Sequence, residues 1–482
     1  MKSLPGSATK KVNRSDRKAK KRLTTSFSAG DEEEFKTPDE LLNSCAIECA
    51  GKEIEILSHR TTARALISIV YPFPEIKMRL LQNIVKQKQE GVLTLLMKSS
   101  AVQAMRFLTE TFATLEEPMA EASKAVLLQF CELILNHFDT LFADRCGTFS
   151  ISDFGKALCK ASRKKTPMGH GIFKTKHRQV MSLQSDFKIS DPERLSAYNG
   201  LACKVLDWKA IKTCSEAMSR VGLFLDFIAL DELQGGVHLK NLVHSIISDN
   251  KQTVFLFMCN QVGSNIFQQI IYHCSKKDMK KIFDHCTKGN MATLATDPYG
   301  NYCAQTFMEC SEGWLEVHEL ADDVFTVFDK VWFEGRFGVI ARLSQIVIGD
   351  KDLERKFVKH MLCVLNCNAE KEDRKYFLHC LLNMSPLSQK VKTNPAASVQ
   401  AYGVDIALNM MNYSIRKTLT NSLLLMKNDL LAAIAAELFG SYVIQSVFQS
   451  TSLPGEYKSK VFQKLNVRIP YYEILYKIVL CK

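Results

Sequence analysis

No stretch of this sequence is apolar for long enough to cross a bilayer, and its N-terminus lacks the apolar run of a secretory signal. A soluble intracellular protein is therefore expected. Zinc-type CxxC spacing is missing as well. The 16 cysteines are instead scattered through apolar helical segments, which fits reduced, buried thiols better than a disulfide framework. His273-Cys274 and His285-Cys286, with Cys45/Cys49 and Cys363/Cys367 behind them, are the best metal candidates. Residues 12 apart in a helix-loop-helix unit more often lie in separate core layers, so core thiols are expected and no metal. There is no phosphate-loop glycine pattern, no HExxH and no GxSxG, and the GHG of residues 169–171 is too little to replace them. Neither an enzyme nor a cofactor is expected.

Acidic residues are scarcest where charge is densest. The chain carries a net +12, but residues 1–22 hold nine Lys/Arg against the single acid Asp16, and residues 160–178 hold seven Lys/Arg and no acid. These two stretches carry +8 and +7, which leaves −3 for the rest of the chain. Any positive groove in the folded body must then come from uneven placement of its charges. Residues 1–37 lack helical periodicity and read as a disordered tail. Its cluster from Lys10 to Arg22 suits a nuclear or nucleolar address, a non-specific nucleic-acid arm, or simple solubilisation.

What the sequence does hold is a phrase said twice. Gly263-Ser264-Asn265-x-x-Gln268 returns 37 residues later as Gly300-Asn301-Tyr302-x-x-Gln305, the mark of a stacked-repeat protein. Between the two, Ser275 and Asp278 start a helix carrying Met279, Ile282 and Phe283, and Gly289 is placed to stop it. A short apolar turn, Met291 to Ala295, follows. Asp297-Pro298 then offers a cap and first residue for a second helix. Positions i and i+4 share a helical face while i+1 lies about 100° round, so Asn301 and Gln305 can grip one flat object edge-on with Tyr302 stacked beside it. Paired amides and an aromatic ring suit the edge and face of an unpaired base.

This phrase, repeated at this period, resembles the Pumilio (PUF) family, in which three-helix repeats present such trios to RNA on the concave side of a curved solenoid. A third clear copy is Gly440-Ser441-Tyr442-x-x-Gln445. Weaker copies offer Thr62, Ala63 and Leu66; Ala101, Val102 and Met105; Thr148, Phe149 and Ser152; and Ser219, Arg220 and Leu223. In the segment from Glu334 to Leu343, Gly335 stands 35 residues after Gly300, with Arg336, Phe337 and Ile340 in the reading positions. Ile340 cannot read an edge. Gly403 opens a further copy, but the unit around Glu370 to Ser388 is too divergent to place.

The expected fold is thus an all-α, curved superhelical solenoid of Pumilio-type three-helix repeats. Its parts are the basic tail 1–37, repeats over 38–159, a basic insertion loop over 160–200, further repeats over 201–465 and a C-terminal capping helix over 466–482. In the insertion, the basic residues with Phe173, His170 and His177 interleaved point either to phosphate contact or to an untethered loop. The GKEIE of residues 51–55, the atypical third repeat with its long insertion, and the phrases GSNIFQQ, LATDPYGNYCAQ, GRFGVIARL and GSYVIQS look like the nucleolar protein nine family of PUF-like ribosome-assembly factors. That resemblance implies binding of small-subunit pre-rRNA around the 3′ end of the future mature rRNA, shielding it from premature cleavage. It also implies a place in the nucleus and nucleolus within a pre-ribosomal particle, without membrane contact and as a monomeric chain. Only three copies carry a polar trio ending in Gln, so base specificity should be confined to a few nucleotides and the remaining affinity should come from backbone charge. The alternatives are a Pumilio-type mRNA regulator and a HEAT-like protein-binding scaffold.

Overall fold

A computed structural model describes residues 44, 47–114, 119–160, 188–213, 218–311, 313, 317–388 and 399–465. The tail, most of the basic insertion and the proposed C-terminal cap lie outside these residues. The chain divides into two compact units, Met1–Ala50 and Gly51–Lys482. Among the described residues of the second unit every element is helical, and none of these helices is long and apolar enough to cross a membrane.

Helices follow one another in groups of three: a first helix, a short apolar second, and a third that joins a continuous row. The row consists of α1 (Arg60–Val70), α2 (Val102–Thr109), α3 (Arg145–Leu158), α4 (Met218–Leu233), α5 (Gln261–His273), α6 (Gly300–Cys310), α7 (Phe337–Ile346), α8 (Ala401–Met411) and α9 (Leu438–Gln449). Each packs against the next in sequence. Such an array has no single central core; its apolar layers are shared between neighbours. Phe154, Phe227, Phe267 and Phe307 are fully buried, one from each of α3 to α6. Burying such a side chain is worth about 1.5–3 kcal/mol.

Local sequence explains the starts and stops. Ser275 accepts from the Asp278 amide (3.1 Å) and donates to its carboxylate (2.8 Å), capping the start of the helix. Gly289 takes φ +74, the left-handed conformation that ends a helix at low cost. The apolar stretch read as a turn is in fact a six-residue helix, Met291–Thr296, the short second member of its triplet. Helical structure also resumes earlier after the insertion than expected, at Pro192, where Asp191 accepts from the Glu193 and Arg194 amides. The unit that could not be placed from sequence is Lys351–Val364, Phe377–Leu382 and α8, with a 3₁₀ segment at Lys371–Tyr376 inside it.

Candidate nucleic-acid interface

Two local devices set the row helices in register. The first is an acceptor three residues before the glycine. Asn260, Asp297, Glu437 and Asp144 accept from the amides of Gly263, Gly300, Gly440 and Gly147, and each also accepts from the amide just before. These caps satisfy donors that a helix leaves unpaired. At Asp297 the cap reaches past Pro298, so α6 begins at Gly300 rather than at the proline.

The second device is the glycine itself, which lets the row helix cross the preceding short helix at close range. A Cβ on Gly263 would overlap the Phe257 carbonyl, its carbon 2.8 Å away, and one on Gly440 would meet the Ile434 carbonyl carbon at 3.0 Å. Gly147 sits against Leu141, and Gly403 against Leu381 and Leu382, in the same way. The glycine of the phrase is a packing residue. Its effect is to fix the direction in which the next residues point.

In α6 the expected trio is together. The Gln305 amide nitrogen donates to Asn301 Oδ1 over 3.0 Å, and Asn301 Nδ2 donates to the Asp297 and Pro298 carbonyls at 3.0 and 2.8 Å. Asn301 is only 6% exposed, but the neighbouring Tyr302 is 44% exposed. The amide pair is thus tied together by its own hydrogen bonds, with the accessible ring of Tyr302 next to Asn301 in sequence.

In α5 the same positions are more closed. Ser264 and Gln268 are buried, Ser264 donating to the Gln261 carbonyl (3.2 Å) and Gln268 Nε2 to the Ser264 carbonyl (2.9 Å). Gln268 Oε1 is buried without a partner. Asn265 is half-buried and donates to the Gln261 carbonyl at 2.7 Å. In α9, Ser441, Tyr442 and Gln445 are all half-buried, with Ser441 donating to Leu438.

The α3 trio is committed internally. Thr148 donates to the Arg145 carbonyl at 2.7 Å, and the Ser152 hydroxyl donates to Asp226 of α4. Lys156 donates to Ser152 (2.8 Å) and pairs with Asp226, while Arg106 of α2 binds Asp153 at 3.1 Å. Phe149 is half-buried, and the Arg106 guanidinium lies 5.7 Å from its ring centre. Neither hydroxyl is therefore free: Thr148 is bonded within its own helix, and Ser152 is part of a cross-row polar network. Ala63, Leu66, Ala101, Met105 and Leu223 are buried in the core. Arg220 reaches the Ala143 carbonyl at 3.2 Å.

The α7 reading needs a register correction. Gly335 has φ +71 with open space around it, so it is a turn residue ahead of the helix and not the packing glycine. Arg336 precedes the helix, binding Glu334 (2.8 Å) and the Asp297 carbonyl (3.0 Å); Phe337 packs on Trp332; Ile340 is fully buried. The glycine inside α7 is Gly338, against which the Gln305 side chain rests: a Cβ there would meet Gln305 Oε1, with its Cδ at 2.7 Å and Nε2 at 2.9 Å.

Sequence reading missed a second polar line beyond the trios. Tyr272 of α5 donates to Glu309 of α6 (2.7 Å), and Arg342 of α7 lies 3.6 Å from the same carboxylate. Burial pushes Asp405 of α8 up to about 6, with Arg342 opposing the shift. Among the described residues no cluster of three metal-type ligands occurs. His273 pairs with Glu232, and His285 meets the Asp249 carbonyl.

Residues 240–471 match the family model described as the NOP9-like PUF repeat domain. The fold matches the solved structure of APUM23–GGAAUUGACGG with a TM-score of 0.74 and 16% identity, covering 96% of this chain and 87% of that one. APUM23 with its insert region deleted matches with a TM-score of 0.73 at 16% identity over 95% and 86% of the two chains. At these identities the likeness is one of fold. No curated protein is significantly similar in sequence.

Proposed function

We propose that this all-α Pumilio-type solenoid, whose residues 240–471 match the NOP9-like PUF repeat domain model, binds single-stranded RNA along its helix row and shields small-subunit pre-rRNA from premature processing. The carrying observation is the α6 trio: two amides joined edge to edge at 3.0 Å, with the exposed Tyr302 ring alongside. A base arriving there exchanges hydrogen bonds with the Asn301 and Gln305 amides and stacks on the ring. The α9 trio is a second such position. Between such positions the RNA is held by its phosphates and its shape, as expected when few repeats carry a complete trio.

In this reading protection is steric. Bound RNA is covered and not cleaved, and the purified chain leaves RNA intact with or without magnesium or zinc. The proposed setting is the nucleolus, within a pre-ribosomal particle, with one chain per RNA site. The test is sequencing of RNA crosslinked to the protein in cells. Tags over small-subunit pre-rRNA support the proposal. Tags scattered over messenger RNA 3′ untranslated regions, and absent from pre-rRNA, would replace it with Pumilio-type mRNA regulation.

A further inference from the structure

Away from the reading positions, a cleft of about 240 Å³ opens where the C-terminal end of α3 meets the start of the Pro192–Val205 helix. Its wall contains Arg194, 6% exposed. A buried guanidinium ordinarily has a carboxylate or carbonyl across from it, because an unpaired buried charge is costly. Here none of the described residues accepts a hydrogen bond from the Arg194 side chain. The two acids in the cleft wall are engaged elsewhere: Asp191 caps the Glu193 and Arg194 amides at 2.9 and 3.1 Å and pairs with Lys124 at 2.6 Å, and Glu121 lies 3.8 Å from Lys124. Lys124 in turn also holds Glu193 at 2.7 Å.

Two further lysines line the cleft, Lys160 and Lys188, and neither has a carboxylate partner among the described residues. One turn beyond Arg194 on the same helix, the Tyr198 hydroxyl is buried and likewise unpartnered. Burial, with Asp231 and Cys159 nearby, raises its pKa, so it keeps its proton as a donor. The cleft therefore offers a planar fork and two ammonium groups without carboxylate partners among the described residues, while its two carboxylates, Glu121 and Asp191, face Lys124.

We propose that the Arg194 cleft is a phosphate-binding site. The fork of Arg194 suits two oxygens of one phosphate group, and Lys160 and Lys188 supply point charges at the rim. The phosphate group comes either from the backbone of a bound RNA or from free inorganic phosphate. The first case rests on the RNA-binding reading above; the second does not.

The test begins with the full chain and inorganic phosphate alone, titrated by calorimetry at constant ionic strength. Saturable binding is expected, weakened roughly tenfold or more in R194Q, the range for losing charge-assisted hydrogen bonds. Because Arg194 is buried, K188A at an exposed position serves as the variant that leaves folding untouched, with a smaller loss expected. The second arm measures the salt dependence of RNA binding. Each lost phosphate contact should make the log–log slope shallower by about 0.7 for a single strand. Phosphate binding with a changed RNA slope assigns the site to the RNA backbone; phosphate binding with an unchanged slope assigns it to free phosphate. Failure of the wild-type chain to bind phosphate together with an unchanged RNA slope in both variants overturns the proposal. Capture of a glutamate-rich peptide with no response to phosphate would overturn it as well. Failure of RNA binding altogether, with phosphate titration intact, would sink the RNA-binding reading and leave this site standing.

Discussion

Gly338→Ala tests the reading trio from a distance. The new methyl would overlap Gln305 Oε1 and lie 2.7 Å from Gln305 Cδ, and these atoms belong to a flexible side chain. The side chain should therefore swing away while the helices stay in place. That motion breaks the 3.0 Å hydrogen bond from Gln305 to Asn301, worth about 0.5–1.5 kcal/mol, while alanine in the first turn of α7 returns only part of the about 1 kcal/mol of propensity it would return in a helix interior. Net stability should change by less than about 1 kcal/mol. RNA discrimination should suffer more, because the amide that faces the base is displaced: a loss of about 1.4 kcal/mol, or roughly tenfold, for the preferred RNA relative to one altered at that base. The assay is a fluorescence titration of both RNAs with wild type, G338A, Q305A, N301A/Q305A and G338A/Q305A. In the double mutant the glycine substitution should have no further effect, since its target is gone. Equal losses in the wild-type and Q305A backgrounds, or undiminished discrimination in G338A, would refute the role given to Gln305.

Replacing both Tyr302 and Tyr442 with Ala should weaken RNA binding by roughly tenfold or more, each stacked ring being worth about 1–3 kcal/mol, with circular dichroism unchanged. Gly263→Ala should behave differently from Gly338→Ala, because its Cβ meets the backbone of Phe257; we expect about 1–3 kcal/mol of destabilisation in urea melts. Asp405 has its folded pKa raised to about 6, so its contribution falls as pH rises from the unfolded carboxylate range through about 6. The advantage of D405N over wild type in urea melts should accordingly be larger at pH 7.5 than at pH 4.5; an advantage independent of pH would show that Asp405 is not the titrating group. Deleting residues 1–22 removes a charge of +8 and should leave the melting temperature unchanged, while reducing nucleolar accumulation and flattening the salt dependence of RNA binding.

The repeat and its three clearest copies were legible because the glycines answer to close packing, against backbone at Gly263 and Gly440 and against the Leu294 and Asp297 side chains at Gly300. The caps were legible in principle. Asn260, Asp297, Glu437 and Asp144 each stand three residues before a glycine, yet only Asp297 stood out, and it was read together with Pro298 as the helix start. Gly335 shows why spacing alone misleads. A turn glycine with φ +71 and a packing glycine three residues later look alike in sequence, and only the crowding at Gly338 separates them. The ion network was not legible at all. Lys156 and Asp226 are 70 residues apart, and each by itself looks like a charge on a solvated helix face.

Magnitudes decide which positions along the row can exchange an internal bond for a base. At α6 the bond to be exchanged is the Gln305–Asn301 amide hydrogen bond, while the two bonds from Asn301 to the Asp297 and Pro298 carbonyls can stay in place, so a base edge that accepts and donates replaces it at little net cost. At α3 the equivalent hydroxyl is tied to Asp226, which also holds the buried Lys156. Freeing the Ser152 hydroxyl breaks two hydrogen bonds to charged groups, each worth about 1.5–3 kcal/mol, together more than a base contact at one repeat returns. The Arg106–Asp153 pair adds a second tie between α2 and α3 at the same level of the row. Readout is therefore expected from α6 and α9, where the ring positions are at least partly accessible, while α2 to α4 act as a cross-linked frame that RNA can touch only through its backbone. A sequence change in the RNA facing α3 should leave affinity unchanged, and the same change facing α6 should not.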